Sequence, residues 1–218
     1  MARRSQKKAR GRYTTPGNPE AEYLDPEHQV PVNLGGFTDL AALQLAEEEA
    51  LAEAYEILLN EVRTDTLMTC ELIRHIHHRI FGGLYPWAGR WRTVWISKPG
   101  ITWPAPDFLD RHMAEFEQHV LRPYRAGVLK DDEAFCDAAA RIQGEFLVIH
   151  PFREGNARTI KLATDLLAVQ SGRPLLVYDS SAAGRDSYIA AADAAFRREY
   201  APMAMVIRHA LARAQRER

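Results

Sequence analysis

The chain has 218 residues, 46% of them hydrophobic and 26% charged, which is the composition of one globular domain and excludes fibrous, collagenous or wholly disordered chains. Against 29 Asp and Glu stand 28 Lys and Arg, and the resulting formal net charge of −1 offers no global field to hold a polyanion. Cys70 and Cys136 lack the pairing and spacing of a zinc site or disulfide framework, so a reducing compartment is expected. No apolar run reaches the ~18 residues that cross a bilayer, and no signal-peptide core follows the basic N-terminus. The expectation is a cytoplasmic protein, or one exported by another machine, with neither membrane nor nucleic acid as partner.

Residues 1–37 read as a basic flexible arm and an extended lead-in. Six of the first twelve residues are basic, and Pro16, Pro19, Pro26 and Pro31 follow before any apolar period begins. From Thr38, the positions Leu40, Leu43, Leu51, Ala54, Leu58 and Val62 recur at helical spacing, and Asp39 or Thr38 would cap the helix. A second helix is predicted over about 65–80, ending where Gly82-Gly83 stops it. Between Gly89 and Pro104 the residues Trp91, Thr93, Val94, Trp95, Ile96, Thr102 and Trp103 favour strands around a Lys98-Pro99-Gly100 turn, which predicts a hairpin over about 90–104. Helices are then expected over about 106–121, 132–149 and 156–170. The last of these is apolar on most of its circumference and belongs in the middle of a bundle. Two more helices follow Gly172-Arg173-Pro174, closing a domain over 38–214 with a tail at 215–218. The fold class is all-α with one small hairpin.

Chemistry concentrates in His150-Pro151-Phe152-Arg153-Glu154-Gly155-Asn156-Ala157-Arg158, which leads into the buried helix. A helix N-terminus offers unpaired N–H groups and a partial positive charge, so a loop ending in Gly155-Asn156 can wrap donors around a phosphate. Arg158 can point back at the same anion. Glu154 supplies a hard carboxylate oxygen in a place otherwise built for anions, which makes sense if Mg²⁺ bridges it to phosphates. Asn156 can cap the helix and donate to a phosphate oxygen. His150 is the side chain suited to take a proton at neutral pH, and Phe152 anchors the loop. A base, a metal carboxylate, a phosphate-binding helix end and a cationic clamp are the equipment of a nucleotide-dependent transferase.

The segment closely resembles the motif of Fic (Fic/Doc) domains, His-Pro-Phe-x-(Asp/Glu)-Gly-Asn-Gly-Arg-x-x-Arg. Residues 72–92, with His77, Ile80-Phe81-Gly82 and Tyr85-Pro86-Trp87-Ala88-Gly89-Arg90, look like the family's helix leading into its flap. The resemblance covers roughly 38–211. It implies a Fic-type helical bundle with a β-hairpin flap that moves AMP from ATP to a Ser, Thr or Tyr hydroxyl of a target protein. By position, His150 would be the general base and Glu154 the Mg²⁺ ligand. Arg153, Gly155, Asn156, Ala157, Arg158 and Lys161 would surround the phosphates. Tyr188 would flank the adenine or sit in the core. Val94, Trp95, Ile96, Ser97 and Lys98 would form the target-binding flap, whose edge can pair with an extended segment.

Two positions depart from the motif. Ala157 replaces a glycine and brings a methyl near the phosphates, and Lys161 replaces an arginine and loses its planar fork. Transfer of UMP, phosphocholine or a γ-phosphate, and an inactive binding module, are the alternatives. Many Fic domains are silenced by a helix bearing Ser/Thr-x-x-x-Glu-Gly/Asn, yet no glutamate here has Ser or Thr four residues before it. A bacterial toxin restrained by a small antitoxin that supplies the glutamate in trans, or an effector delivered into a host cytosol, follows from that absence.

Overall fold

The structure, a computed structural model, describes residues 18–25, 27 and 29–217; the basic arm over residues 1–12 lies outside the described residues. Among these are seven α-helices: α1 (Leu40–Glu61), α2 (Cys70–Phe81), α3 (Leu109–Phe116), α4 (Asp132–Ile149), α5 (Asn156–Gln170), α6 (Ala182–Ala195) and α7 (Ala201–Arg216). One two-stranded sheet pairs β1 (Ser97–Lys98) antiparallel to β2 (Ile101–Thr102).

Side-chain caps start four of the helices where small polar residues precede an apolar period. Asp39 accepts from Ala42 N–H, Thr69 from Leu72, Asp131 from Ala134 and Ser181 from Gly184. α2 begins at Cys70 rather than near Asp65 because Thr69 takes the cap. The preceding turn is held separately, with Gln170 Nε2 donating to the carbonyls of Arg63 and Thr66. The helix expected over 106–121 is three pieces in one line: a 3₁₀ turn Pro106–Phe108, then α3, then a π-helical turn Glu117–Leu121.

α4 and α5 carry the densest buried runs and form the middle of the bundle, including Phe135, Ile142 and Phe146 on α4 and Ile160, Leu162 and Ala163 on α5. α6 and α7 pack on α4, and α1 and α2 on α5. Cys136 is buried and Cys70 half-buried, both free; burial pushes the Cys70 thiol up to about 12 and the Cys136 thiol to about 11. No helix among the described residues is long and apolar enough to cross a membrane.

The hairpin is shorter than its strand-favouring residues predict. Arg92 N–H donates to Pro151 O (2.8 Å) and Thr93 N–H to the Glu20 carboxylate (2.9 Å), so this backbone serves the 150–156 loop and the lead-in instead of a second strand. Only the four residues flanking the Pro99-Gly100 turn pair, Gly100 taking φ +83° where a side chain would be strained. A small separate core of Val94, Ile96 and Trp103 fills the space under the flap, with Ala21 and Tyr23 of the lead-in against it. The described part of the lead-in is therefore docked on the domain: Glu20 is buried, Tyr23 bridges Pro31, and Leu34 N–H donates to Leu84 O.

Arg92 ties these parts together. The residue is 2% exposed, and its guanidinium donates to the carbonyls of His150 (2.8 Å), Val94 (2.8 Å) and Pro104 (2.7 Å). Arg92→Met keeps the aliphatic stem and strands three carbonyls, so a loss of about 2–4 kcal/mol is expected in urea unfolding, with m unchanged.

Candidate active site

His150 terminates α4 in the left-handed conformation at φ 52°, an uncommon state for a side-chain-bearing residue that the surroundings must hold. Its backbone N–H donates to Phe146 O (2.8 Å) and its carbonyl accepts from Arg92. The ring lies 4.4 Å from that of Trp103, whose indole N–H donates to Leu147 O (2.9 Å). Nδ1 is 3.2 Å from the same Leu147 carbonyl, which can only accept, so the proton sits on Nδ1 and the basic lone pair on Nε2.

The loop that follows is shaped from below by His77 on α2, which is fully buried. Gly89 N–H donates to His77 Nδ1 (2.8 Å), so Nε2 carries the proton and donates it to Glu154 O (3.1 Å). Phe152 stacks on this imidazole with centroids 3.7 Å apart and an interplanar angle of 19°. Burial, before any neighbouring charge, holds the His77 pKa down to about 3, so the ring stays neutral and keeps this donor pattern. The Asn156 side chain closes the loop on itself, Oδ1 accepting from Phe152 N–H (2.9 Å) and Nδ2 donating to Phe152 O (2.8 Å).

α5 opens at Gly155, not at a capping Asn156. Gly155 has φ 77° and no side chain, so no side chain caps the first-turn N–H groups of α5, and a Cβ at this position would collide with the Phe81 ring. Unsatisfied N–H groups at a helix terminus are the feature that can receive an anion. Arg158 lies one turn in, its guanidinium 4.7 Å over the Phe81 ring and ion-paired to Glu47 of α1 at 2.8 Å. The other Glu47 oxygen accepts from Tyr85 OH (2.6 Å), so α1 and the turn after α2 both reach the mouth of the loop. Glu154 is partly exposed there, and the Ala157 methyl packs partly against the core.

Three expected nucleotide contacts are placed elsewhere. Arg153 is 1% exposed and faces the lead-in: Nε donates to Glu20 O, and the guanidinium lies 5.3 Å from the rings of both Tyr23 and Trp87. Lys161 Nζ rests between Tyr178 and Tyr188. Tyr188 takes the core alternative, buried with its OH donating to Gln143 Oε1 (2.7 Å). In the flap, Val94 and Ile96 are buried and point inward, whereas Trp95 and Ser97 are exposed. Lys98 pairs with Asp193 of α6 at 3.0 Å, joining the flap to that helix. Glu47, Arg92 and Trp103 were not among the expected site residues, and no local pattern marks them, since each acts on the loop from far away in sequence.

Comparison with known proteins agrees with this architecture. The model of the Fic/DOC family matches residues 67–168, from just before α2 into α5. A probable protein adenylyltransferase of Sinorhizobium fredii, y4lH, is 30% identical over 136 residues, covering 62% of this chain and 69% of that protein. The chain belongs to the Fic/DOC family. The protein adenylyltransferase VbhT of Bartonella schoenbuchensis is 31% identical over 150 residues, 69% of this chain, and the chain spans 31% of that relative's length. Among solved structures, BepC, a VirB-translocated effector protein of Bartonella tribocorum with bound AMPPNP, superposes with a TM-score of 0.71. That match covers 86% of this chain and 95% of BepC at 17% identity, a likeness of fold. The Fic-type helical bundle expected from the two motifs is the fold found.

The neutral His77 gives the loop a pH signature. Its folded pKa lies below the unfolded value near 6.5, so its contribution is complete above pH 6.5 and is lost as pH falls from there toward about 3. Melting temperature should fall across that window. His77→Gln should melt lower at pH 7 and lose less on acidification, by one proton's worth, about 1.4 kcal/mol per pH unit.

Proposed function

We propose that this Fic/DOC chain transfers AMP from ATP to a Ser, Thr or Tyr hydroxyl of a target protein. The observation that carries this reading is the uncapped N-terminus of α5, opened by left-handed Gly155 and preceded by a histidine whose basic nitrogen is Nε2. The relatives named protein adenylyltransferase support it, as does AMPPNP in the structure of BepC.

In this reading the first-turn N–H groups of α5 and the terminal partial charge bind the phosphates, and Asn156 acts by holding the loop in shape. Arg158 leaves Glu47 to neutralise phosphate charge. His150 Nε2 accepts the target's proton as the hydroxyl oxygen bonds to the α-phosphorus; the bond to pyrophosphate breaks, and no covalent enzyme intermediate forms. A carboxylate beside a phosphate site suits Mg²⁺, which takes one or two carboxylates and leaves its other positions to phosphate and water. Glu154 would hold it, and the bound ion would offset phosphate charge. The target's backbone pairs along the flap edge at Ser97 and Lys98, with Trp95 exposed beside it.

The target-modifying role is that of a bacterial toxin or effector. Within these 218 residues no glutamate stands in the family's inhibitory pattern, which leaves room for a small antitoxin that supplies one in trans. The ion pair of Glu47 with Arg158 is a restraint of a different kind, since it occupies the cation that the phosphates need.

Two measurements test the site. With Mg²⁺ and a lysate of candidate targets, label from α-phosphate ATP should appear on protein and label from γ-phosphate ATP should not; His150→Ala should lower transfer by at least 10³-fold while nucleotide binding stays within about threefold. Label from the γ position would mean phosphorylation instead. Glu47→Gln should tighten nucleotide binding about fivefold by calorimetry, the value of a half-buried ion pair of about 1 kcal/mol.

A further inference from the structure

The two cations of the α5 motif are not equivalent. Arg158 stands at the loop mouth, one third exposed, over one ring, that of Phe81, and paired with the Glu47 carboxylate. Lys161, one turn further, has its ammonium 3.9 Å from the centroid of Tyr188 and 4.4 Å from that of Tyr178. The rings meet at 87° with centroids 6.1 Å apart, so the ammonium lies in a two-walled aromatic cage.

The cage is rigid. Gln143 of α4, fully buried, accepts from Tyr188 OH (2.7 Å) and donates to both Tyr178 OH (2.7 Å) and Thr164 Oγ1 (2.8 Å). Thr164 is on α5 itself, so helix, rings and lysine move as one unit. Asp165, on the same helix, adds an attractive charge, while burial pulls the Lys161 pKa down. Reaching a phosphate would cost the ammonium both ring contacts at once.

Beyond Lys161 a cavity of about 580 Å³ opens between α6 and α7. Three arginines line it: Arg185 donates to Ser180 O (2.6 Å), Arg213 pairs with Asp179 (3.0 Å), and Arg216 is exposed near the end of α7, away from α5. The N–H groups of α5 and Arg158 thus serve the phosphates nearest the transferred group, and no unengaged cation follows along α5 for a third.

From this geometry we infer that the site recognises the diphosphate part of its donor and does not select a triphosphate, so its donor class is nucleoside 5′-diphosphates and their β-substituted forms, ADP and ATP alike. The inference rests on the transfer reading and defines its donor by the diphosphate alone. With ADP, the target oxygen bonds to the α-phosphorus as the α–β bridging bond breaks, inorganic phosphate leaves and His150 takes the hydroxyl proton.

Calorimetric titration of the whole chain with Mg²⁺–ATP and Mg²⁺–ADP tests it. The two dissociation constants should agree within about threefold, both should weaken at least tenfold in Arg158→Ala, and their ratio should not move in Lys161→Met. Opening the cage with Tyr188→Leu, or Tyr178→Leu if the first variant folds poorly, should release the ammonium and create a preference for ATP of about tenfold. A wild-type preference for ATP of tenfold or more would overturn the inference and leave the transfer reading standing. Binding of neither nucleotide would overturn both. A merely structural lysine could shift both affinities together but not their ratio.

Discussion

A neutral, buried imidazole under a seven-residue loop is the constraint on which this structure turns. His77 must be unprotonated to accept from Gly89 at one nitrogen and donate to Glu154 at the other, and it stacks on Phe152 while doing so. Burial enforces that protonation state. Gly89 begins the flap segment and Glu154 belongs to the loop, so one ring sets the distance between the two parts that the proposed transfer needs in register. Arg92 repeats the connection from above with three carbonyl contacts.

What the loop then presents follows from backbone, not from side chains. Gly155 in the left-handed region redirects the chain into α5 without a cap, leaving its first-turn donors for an anion. The Asn156 amide is spent within the loop, and Arg153 is spent on the lead-in. Charge at the mouth is therefore sparse, confined among the motif cations to Arg158, and even that is shared with Glu47. In the proposed reading few groups besides Arg158 would have to reorganise around a phosphate, which suits electrostatic preorganisation. It also makes Glu47 of α1 the group that a bound anion would have to displace from Arg158.

The helices were readable because each needs only a local apolar period and a small polar cap, as α4 and α5 illustrate with bounds that coincide with their apolar runs. α2 starts later than its period suggests because Thr69 and the Gln170 contacts, the latter a hundred residues away, decide its first turn. The hairpin shrank for a similar reason: residues with strand propensity found their hydrogen bonds in Glu20 and Pro151 instead of in each other.

By itself the sequence determined the helical class, the family and the identity of the loop, since a motif of fixed spacing places its residues on one turn wherever that turn lies. Only tertiary structure decided which of those residues face the mouth. Arg153 and Lys161 carry the same charge as Arg158, but one is drawn under the lead-in by Tyr23 and Trp87 and the other between two tyrosines. These partners come from distant segments and compete for a cation on energies that sequence spacing does not encode.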